Sequence, residues 1–206
     1  MNNAAIAFKY ECPETFLVQA EETIKTNYFG VRKTCEEFFP LLKSGARVVN
    51  VSSSAGHLSR IPGENLRKRF SNPNLNFESL DNLMKEYLES IENNTFEEKG
   101  WPLKSYLTKA GLSSTYSVSK VGVSALTQIQ QKVMDTEFKD LDIVINHVHP
   151  GFVSSDMSSH KGHFSIEEGS KPIVYAATLP TKTSVRGQFI WYDCTTVEWN
   201  KNYCPK

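Results

Sequence analysis

The sequence lacks any apolar run close to the about 20 residues that a membrane-spanning helix requires. Its first residues also lack the basic and then apolar layout of a secretory signal peptide. Acidic and basic residues are balanced, with 23 Lys plus Arg and 23 Asp plus Glu, so no net charge favours nucleic acid or an anionic membrane as a partner. These absences favour a cytoplasmic protein that binds neither.

Cysteine pairs of the Cys-x-x-Cys kind are also missing. The four cysteines stand apart in the sequence, at Cys12, Cys35, Cys194 and Cys204. This spacing favours free thiols in a reducing compartment over disulfides or a zinc site. Histidines alternate at His147 and His149, but no carboxylate or thiol completes a ligand set at a recognisable spacing, so we expect no metal site.

The 206 residues, 39% of them hydrophobic, are enough for one globular domain with its own core. Three short apolar runs lie near residues 46–51, 141–148 and 187–192. Stretches with helical periodicity separate them, which predicts an α/β fold with parallel strands in one sheet and helices on both faces. The first run ends in Ser52 and Ser53, at the end of the strand where such a sheet places functional residues.

A long first helix is predicted to begin after Pro13 and to run to about residue 43. Thr15 is its candidate cap, and apolar side chains recur along it at spacings of three and four residues. Asn27 interrupts this pattern, at a position where a helix favours Ala or Leu. From the pattern alone, the simplest interpretation is a partly exposed Asn on the side of the helix.

Two further helices are predicted after the first strand. A charged excursion at about 58–110 is too long for a structureless loop, and Glu78 to Glu92 within it has apolar side chains at helical spacing. We therefore expect a helical insertion. A capping box at residues 165–168 predicts another helix that ends near residue 179.

Tyr116 and Lys120 lie four residues apart at the start of a long amphipathic stretch, so a helix places both side chains on one face. A Lys ammonium beside a Tyr hydroxyl favours the phenolate and lowers the phenol pKa from its ordinary value of about 10. Such a tyrosine can exchange a proton with a substrate oxygen. The motif by itself is more often an exposed helical pair.

Five stretches match, in the same order, the motifs of one enzyme family. They lie at residues 2–9, 26–30, 50–53, 116–120 and 150–157. With them the chain closely resembles the short-chain dehydrogenase/reductase family, and within it the monomeric carbonyl reductases. The resemblance implies a Rossmann-like, doubly wound parallel sheet and NADPH-dependent reduction of a small-molecule aldehyde, ketone or quinone. It also implies a monomer, because in carbonyl reductases a helical insertion covers the face that related enzymes use to oligomerise.

The resemblance assigns catalytic roles to four residues. Tyr116 would donate the proton to the carbonyl oxygen, and Lys120 would lower the pKa of Tyr116 and hold the nicotinamide ribose. Ser53 would hydrogen-bond the substrate oxygen. Asn27 would hold a backbone distortion in the helix and anchor a water in the proton relay behind Lys120.

The resemblance also assigns binding roles. Besides Tyr116 and Lys120, the residues that would contact the cofactor are Asn3, Val153 and Ser155. Together with Ser53, the residues that would contact the substrate are Phe8, Lys9, Gln19 and Phe152. Ala5 stands where the family usually has Gly, at a position that in the family could need positive φ.

The sequence has no Gly-rich turn of the kind that holds a dinucleotide pyrophosphate at a helix amino terminus. In the family, Asn2 and Asn3 would follow the fourth strand of the sheet. The resemblance therefore implies that the amino-terminal half of the Rossmann fold is absent from these 206 residues. Two alternatives to an active reductase stay open: a catalytically incompetent fragment or shortened isoform, and an interaction protein that pairs through an exposed sheet edge.

Overall fold

A computed structural model describes residues 1–9, 12–103, 113–201 and 203–204. Its centre is one sheet with the strand order β1-β2-β3-β4. The strands are β1 Arg47–Val51, β2 Val144–Val148, β3 Phe189–Ile190 and β4 Thr196–Val197. β1, β2 and β3 are parallel, and β4 is antiparallel to β3. The predicted parallel α/β sheet is confirmed, while β4 was not predicted.

Six α-helices are present in the part of the chain that the structure describes. They are α1 Phe16–Ile24, α2 Gly30–Phe38, α3 Glu64–Phe70, α4 Phe77–Glu92, α5 Ser114–Glu137 and α6 Ile166–Ala177. Side chains alternate along β1, so Val48 packs against Met134 of α5 on one face and Val49 packs against Ala176 of α6 on the other. Both faces are buried, as the apolar strands predict.

The predicted first helix is not continuous. Its start is confirmed, since the Thr15 hydroxyl accepts a hydrogen bond from the Val18 N–H at 3.3 Å. A π-helical turn, Lys25–Phe29, then separates α1 from α2. The helical path ends in a 3₁₀ turn, Phe39–Leu41, two residues before the predicted end, because Pro40 has no N–H to continue the α-helical ladder.

The third predicted strand, at 187–192, is shorter than expected. The chain turns back after Trp191, whose N–H donates to the Thr195 carbonyl at 2.8 Å. Asp193 stabilises the turn by accepting from the N–H and the hydroxyl of Thr195, and Cys194 has a φ of 67°. This reversal leads directly into β4, so the aromatic run forms a hairpin in place of one long strand.

The predicted insertion is helical and has its own aromatic centre. α4 begins one residue before the predicted Glu78 and ends at the predicted Glu92, whereas α3 was not predicted. Trp101 is completely buried there, with its ring centre 6.1 Å from that of Phe70 and 5.0 Å from that of Tyr87. The insertion packs on α1 and α5, and so supports the amino-terminal part of α5. Residues 104–112 of the predicted excursion lie outside the described residues.

Residue Asn2 lies at the outer edge of β1. Its N–H donates to the Val49 carbonyl at 2.8 Å, and its carbonyl accepts from the Val51 N–H at 2.9 Å, which makes a parallel bridge with Asn50. This agrees with the expectation that Asn2 and Asn3 follow a strand of the same sheet. None of the helices in the described ranges combines the length and the apolarity that a membrane crossing needs.

An ion-pair network joins the beginnings of β1 and β2. Asp142, with a left-handed φ of 48°, accepts from Arg47 at 3.0 Å, from Arg186 at 3.1 Å and from the Lys182 N–H at 3.1 Å. The backbone N–H of Lys182 and the Arg47 guanidinium hold the pKa of this carboxyl below its ordinary value.

We expect Asp142→Asn to lower the free energy of unfolding at pH 7 by about 1–2 kcal/mol, because Asn tolerates the left-handed backbone but carries no charge. The loss should shrink as pH falls through the lowered pKa of Asp142, since protonation removes the same charge. Urea denaturation measures both effects. Asp140→Asn, at an exposed position two residues away, is the control. An equal loss in the two variants would contradict the role of the network.

Candidate active site

The carboxyl end of β1 places Ser53 at the beginning of a tight turn. Ser53 is extended, with φ −170° and ψ 163°, and its hydroxyl accepts from the Ala55 N–H at 3.2 Å to cap the 3₁₀ turn Ser54–Gly56. This turn packs on α5. The strand end, the cap and the helix therefore hold the Ser53 hydroxyl at the edge of the sheet, where parallel α/β folds form their sites.

The helix α5 brings Tyr116 and Lys120 to the same place. Both are buried, with 7% of Tyr116 and 3% of Lys120 exposed. The Ser53 hydroxyl lies near enough to the Tyr116 phenol to favour a lower pKa of that group. The Lys120 ammonium donates to the Val51 carbonyl at 2.7 Å and lies 5.6 Å from the centre of the Tyr116 ring. Three of the four predicted catalytic residues thus meet where α5 crosses the end of β1, and the exposed helical pair is excluded.

Burial controls the electrostatics of this pair. It raises the pKa of Tyr116 to about 12, and the nearby Ser53 hydroxyl opposes that rise. Burial also lowers the pKa of Lys120 to about 8. The expectation that Lys120 lowers the pKa of Tyr116 below 10 is therefore wrong for this chain, because removing the phenolate from water outweighs the attraction of the nearby ammonium. At neutral pH the phenol is protonated and the amine is mostly charged.

Asn27 lies in the middle of the π-helical turn and is completely buried. The predicted backbone distortion is confirmed, and the partly exposed helical Asn is excluded. The Asn27 amide accepts from the Ile6 N–H at 2.8 Å and donates to the Ile6 carbonyl at 2.9 Å and to the Ser119 hydroxyl at 3.1 Å. It ties the extended amino-terminal segment to the turn of α5 between Tyr116 and Lys120. Its role in a proton relay stays a prediction.

Small and apolar side chains surround the Tyr116 ring. Ala55 is buried against it, and Ala7 and Met157 are partly buried beside the pair. The Lys9 ammonium donates to the Met157 carbonyl, which links the amino-terminal segment to the loop after β2. Individual roles for Ala7 and Ala55 were not predicted, because small apolar residues carry no signal of a site. Met157 had a signal, since it closes the 150–157 motif.

The proposed substrate residues are only partly brought together. Lys9 reaches this cluster through Met157, and the carbonyl of Phe8 accepts from the Ser113 N–H at 3.1 Å, next to the start of α5. Gln19 is buried, and its amide donates to the Glu14 carbonyl at 3.0 Å. That hydrogen bond does not join Gln19 to Tyr116.

The loop after β2 carries the remaining predicted residues. Val153 bridges to Phe164, and Ser155 caps a 3₁₀ turn by hydrogen bonding with Ser158. The Phe152 ring packs edge-on against His163, with ring centres 5.7 Å apart. At the amino terminus, Asn3 is exposed and Ala5 is not among the residues with positive φ, so the backbone there accommodates a Cβ without strain.

Metal chemistry finds no support in the side-chain clusters of the described ranges. No group of three or more His, Cys, Asp or Glu residues is arranged there to hold an ion. His147 and His149 are both buried and pack on aromatic rings. The four cysteines are free thiols, as their spacing predicts.

The parallel sheet, with a buried Tyr and Lys on a helix beside a strand-end Ser, defines the class of the molecule as a Rossmann-like α/β protein with a candidate site at the end of β1. The family model for short chain dehydrogenase matches residues 1–64. The sequence is 40% identical over 193 residues to carbonyl reductase (NADPH) 3 of Rattus norvegicus, which covers 92% of this chain and 66% of that protein. It is 36% identical over 201 residues to carbonyl reductase (NADPH) 3 of Homo sapiens, covering 97% of this chain and 69% of the relative.

Solved structures of similar proteins have the same fold. Salutaridine reductase from Papaver somniferum superposes with a TM-score of 0.72 at 30% identity, over 90% of this chain and 60% of that one. The NADPH-bound carbonyl reductase from chicken fatty liver has the same fold, with a TM-score of 0.57 at 19% identity over 96% of this chain and 64% of that one. The chain belongs to the short-chain dehydrogenase/reductase family. It spans about two thirds of the length of the curated relatives named above.

Titration of Lys120 should be visible in the pH dependence of stability. The folded-state pKa of about 8 lies below the ordinary 10.5, so between these values the unfolded chain binds a proton that the folded chain does not. The free energy of unfolding, taken relative to Lys120→Met, should therefore rise by about 3 kcal/mol from pH 8 to pH 10.5. Met has a similar length and does not titrate. Urea denaturation of both proteins measures the difference, and a difference that stays constant with pH would contradict a buried Lys120.

Proposed function

We propose that the site reduces the carbonyl group of an aldehyde, ketone or quinone with NADPH. The observation that carries the proposal is the meeting of Ser53 and Tyr116 at the end of β1, with the ammonium of Lys120 beside the Tyr116 ring. A carbonyl oxygen placed between the two hydroxyls would accept a hydrogen bond from each. These donors polarise the carbonyl and stabilise the negative charge that develops on its oxygen during reduction.

Tyr116 is suited to be the proton donor. Its pKa of about 12 keeps the phenol protonated at neutral pH. Donation leaves a phenolate, whose charge the ammonium of Lys120 stabilises more strongly in this buried place than in water. Ser53 would spend its one O–H donor on the substrate oxygen, and so hold that oxygen beside the phenol before transfer.

The residues around Lys120 fit the nicotinamide half of the cofactor. An ammonium has three N–H donors, and within the described residues Lys120 uses one of them, on Val51, which leaves donors for ribose hydroxyls. Asn3, Val153 and Ser155 would complete this half of the pocket. The bound nicotinamide supplies the hydride, whereas this chain binds it, orients the carbonyl and delivers the proton.

The 206 residues do not fit the phosphate half in the same way. The sequence has no Gly-rich turn with backbone N–H donors for a pyrophosphate. The outer edge of β1, where the family's further strands would add, is bridged within the described residues by Asn2. The alternative, an interaction protein, would have to pair another polypeptide with the part of this edge beyond the Asn2 bridge. Because the insertion is folded onto α1 and α5, we propose that the protein is a monomer. Because its acidic and basic residues are balanced, we also propose a cytoplasmic protein with no nucleic acid or membrane partner.

Binding of NADPH by the isolated 206-residue chain should be weak. Loss of two charge-assisted phosphate contacts, at about 1.5–3 kcal/mol each, weakens binding by a factor of roughly 10² to 10⁴. We expect no saturation at low-micromolar NADPH and slow carbonyl reduction or none. Nucleotide fluorescence during titration of the purified chain measures this. Low-micromolar binding with turnover would show that the phosphate half is not required.

The proton-donor role should appear in a fusion that supplies the nucleotide-binding turn of one of the relatives. There, Tyr116→Phe should reduce turnover by at least ~10², the low end for a general acid, with NADPH binding largely retained. Tyr175→Phe, at a partly exposed tyrosine of α6, serves as the control and should be active. Unchanged turnover in Tyr116→Phe would remove Tyr116 from the mechanism.

A further inference from the structure

A chain of buried hydrogen bonds leads from His147 of β2 to Lys120 of α5. His147 Nδ1 is 3.0 Å from the Ser124 hydroxyl, which is 2.9 Å from the Ser52 hydroxyl, and Ser52 Oγ is 3.2 Å from the Lys120 carbonyl oxygen. His147 and Ser124 are completely buried, and Ser52 is 2% exposed. Three neighbouring elements, β1, β2 and α5, are therefore joined by one polar path inside the core.

The donor and the acceptor in each hydrogen bond of this path follow from its end at Lys120. A carbonyl oxygen can only accept, so the proton of the Ser52 hydroxyl points to Lys120. The Ser52 oxygen then accepts from the Ser124 hydroxyl, and the Ser124 oxygen accepts from His147 Nδ1. This order requires the His147 tautomer that carries its proton on Nδ1.

The other end of the hydrogen-bond chain, at His147 and Gln128, requires the same tautomer of His147. The side-chain nitrogen of Gln128 hydrogen-bonds the Gly187 carbonyl, which can only accept, so the Gln128 amide must present its N–H donors on that side. The same nitrogen lies 3.3 Å from His147 Nε2, which must therefore be an acceptor. Two carbonyl groups at opposite ends thus fix the direction of every hydrogen bond between them.

His147 is held neutral in this arrangement. Burial lowers the pKa of His147 to about 3, and an imidazolium would turn an N–H of Nε2 against the Gln128 donor. The ring stacks on Phe189, with centres 4.5 Å apart and an angle of 7° between the planes. Stacking fixes the plane of the ring and Gln128 fixes its tautomer, so Nδ1–H is aimed at Ser124.

The strand end holds Lys120 at two points. Its ammonium donates to the Val51 carbonyl, and its own carbonyl accepts from Ser52, the next residue in the chain. Gly56 closes over the second contact, since a Cβ there would lie 2.2 Å from Ser52 Oγ, 2.7 Å from the Lys120 oxygen and 2.9 Å from Ser124 Oγ. The turn that begins at Ser53 is therefore in direct contact with the hydrogen-bond chain.

We propose that His147 is a positioning residue, which acts through Ser124 and Ser52 to hold the Lys120 turn of α5 against the Ser53 turn. The consequence of this positioning for catalysis rests on the proposed function, because the groups that His147 would align are Ser53, Tyr116 and Lys120. The proposal gives a structural role to three buried residues, Ser52, Ser124 and His147, that take no part in the proposed reaction.

The test uses NMR of the 206-residue chain labelled at Lys and His, with Lys120→Met identifying the Lys120 signals. In the wild type, His147 should be the Nδ1–H tautomer, and Lys120 should titrate near 8. Ser124→Ala interrupts the hydrogen-bond chain. His147→Phe removes both ring nitrogens but retains an aromatic ring that can stack on Phe189. In both variants water gains access to the loosened turn, so the Lys120 midpoint should rise by ~0.5 pH unit or more.

Ser117→Ala is the matched control. Ser117 lies one turn before Lys120, as Ser124 lies one turn after it, and its buried hydroxyl has no hydrogen-bond partner in the described structure. It should leave the His147 tautomer and the Lys120 midpoint within ~0.2 unit of the wild type. Equal midpoints in all the proteins, or an Nε2–H tautomer in the wild type, would overturn the proposal. Absence of carbonyl reduction by the chain would count against the proposed function and would leave these signals unchanged.

Discussion

The attachment of Lys120 to the carboxyl end of β1 is the constraint on which the site depends. A buried ammonium must hydrogen-bond inside the protein, because its loss of hydration is otherwise uncompensated. The Val51 carbonyl provides that hydrogen bond at 2.7 Å. This single contact joins the helix that carries Tyr116 to the strand that carries Ser53, so the three groups of the site cannot be placed independently.

The surrounding core makes this attachment possible and also sets its electrostatic cost. Insertion helix α4 and helix α1 pack on α5 and keep its amino-terminal half out of water. As a result, the charged forms of both Tyr116 and Lys120 are disfavoured, and their pKa values move apart, to about 12 and about 8. The site therefore has a protonated donor and a lysine that is mostly charged at neutral pH but titrates near pH 8. In a buried place, a further charge beside such a pair shifts both pKa values strongly.

Local sequence patterns predicted the parts of this arrangement that depend on periodicity. The four-residue spacing placed Tyr116 and Lys120 on one helical face, and the apolar runs located β1 and β2. The distortion at Asn27 was predicted by the family resemblance, since the pattern alone indicated a partly exposed helical Asn. Other features depend on contacts between distant residues. The raised pKa of Tyr116 follows from the depth of burial, and the hairpin that shortens β3 follows from the Asp193 turn. The His147 chain joins residues that are 23 and 72 positions apart in sequence, so no local period contains it.

The central claim is that burial, more than the neighbouring ammonium, sets the proton affinity of Tyr116 in this chain. The direct measurement is a pH titration of Tyr116 monitored by NMR. Tyrosine is labelled at the ring carbon that bears the hydroxyl, and the signal missing in Tyr116→Phe is that of Tyr116. The account predicts that Tyr116 is protonated until about pH 12. A midpoint below the ordinary value of 10 would show that the attraction of Lys120 prevails over desolvation, and would contradict the account.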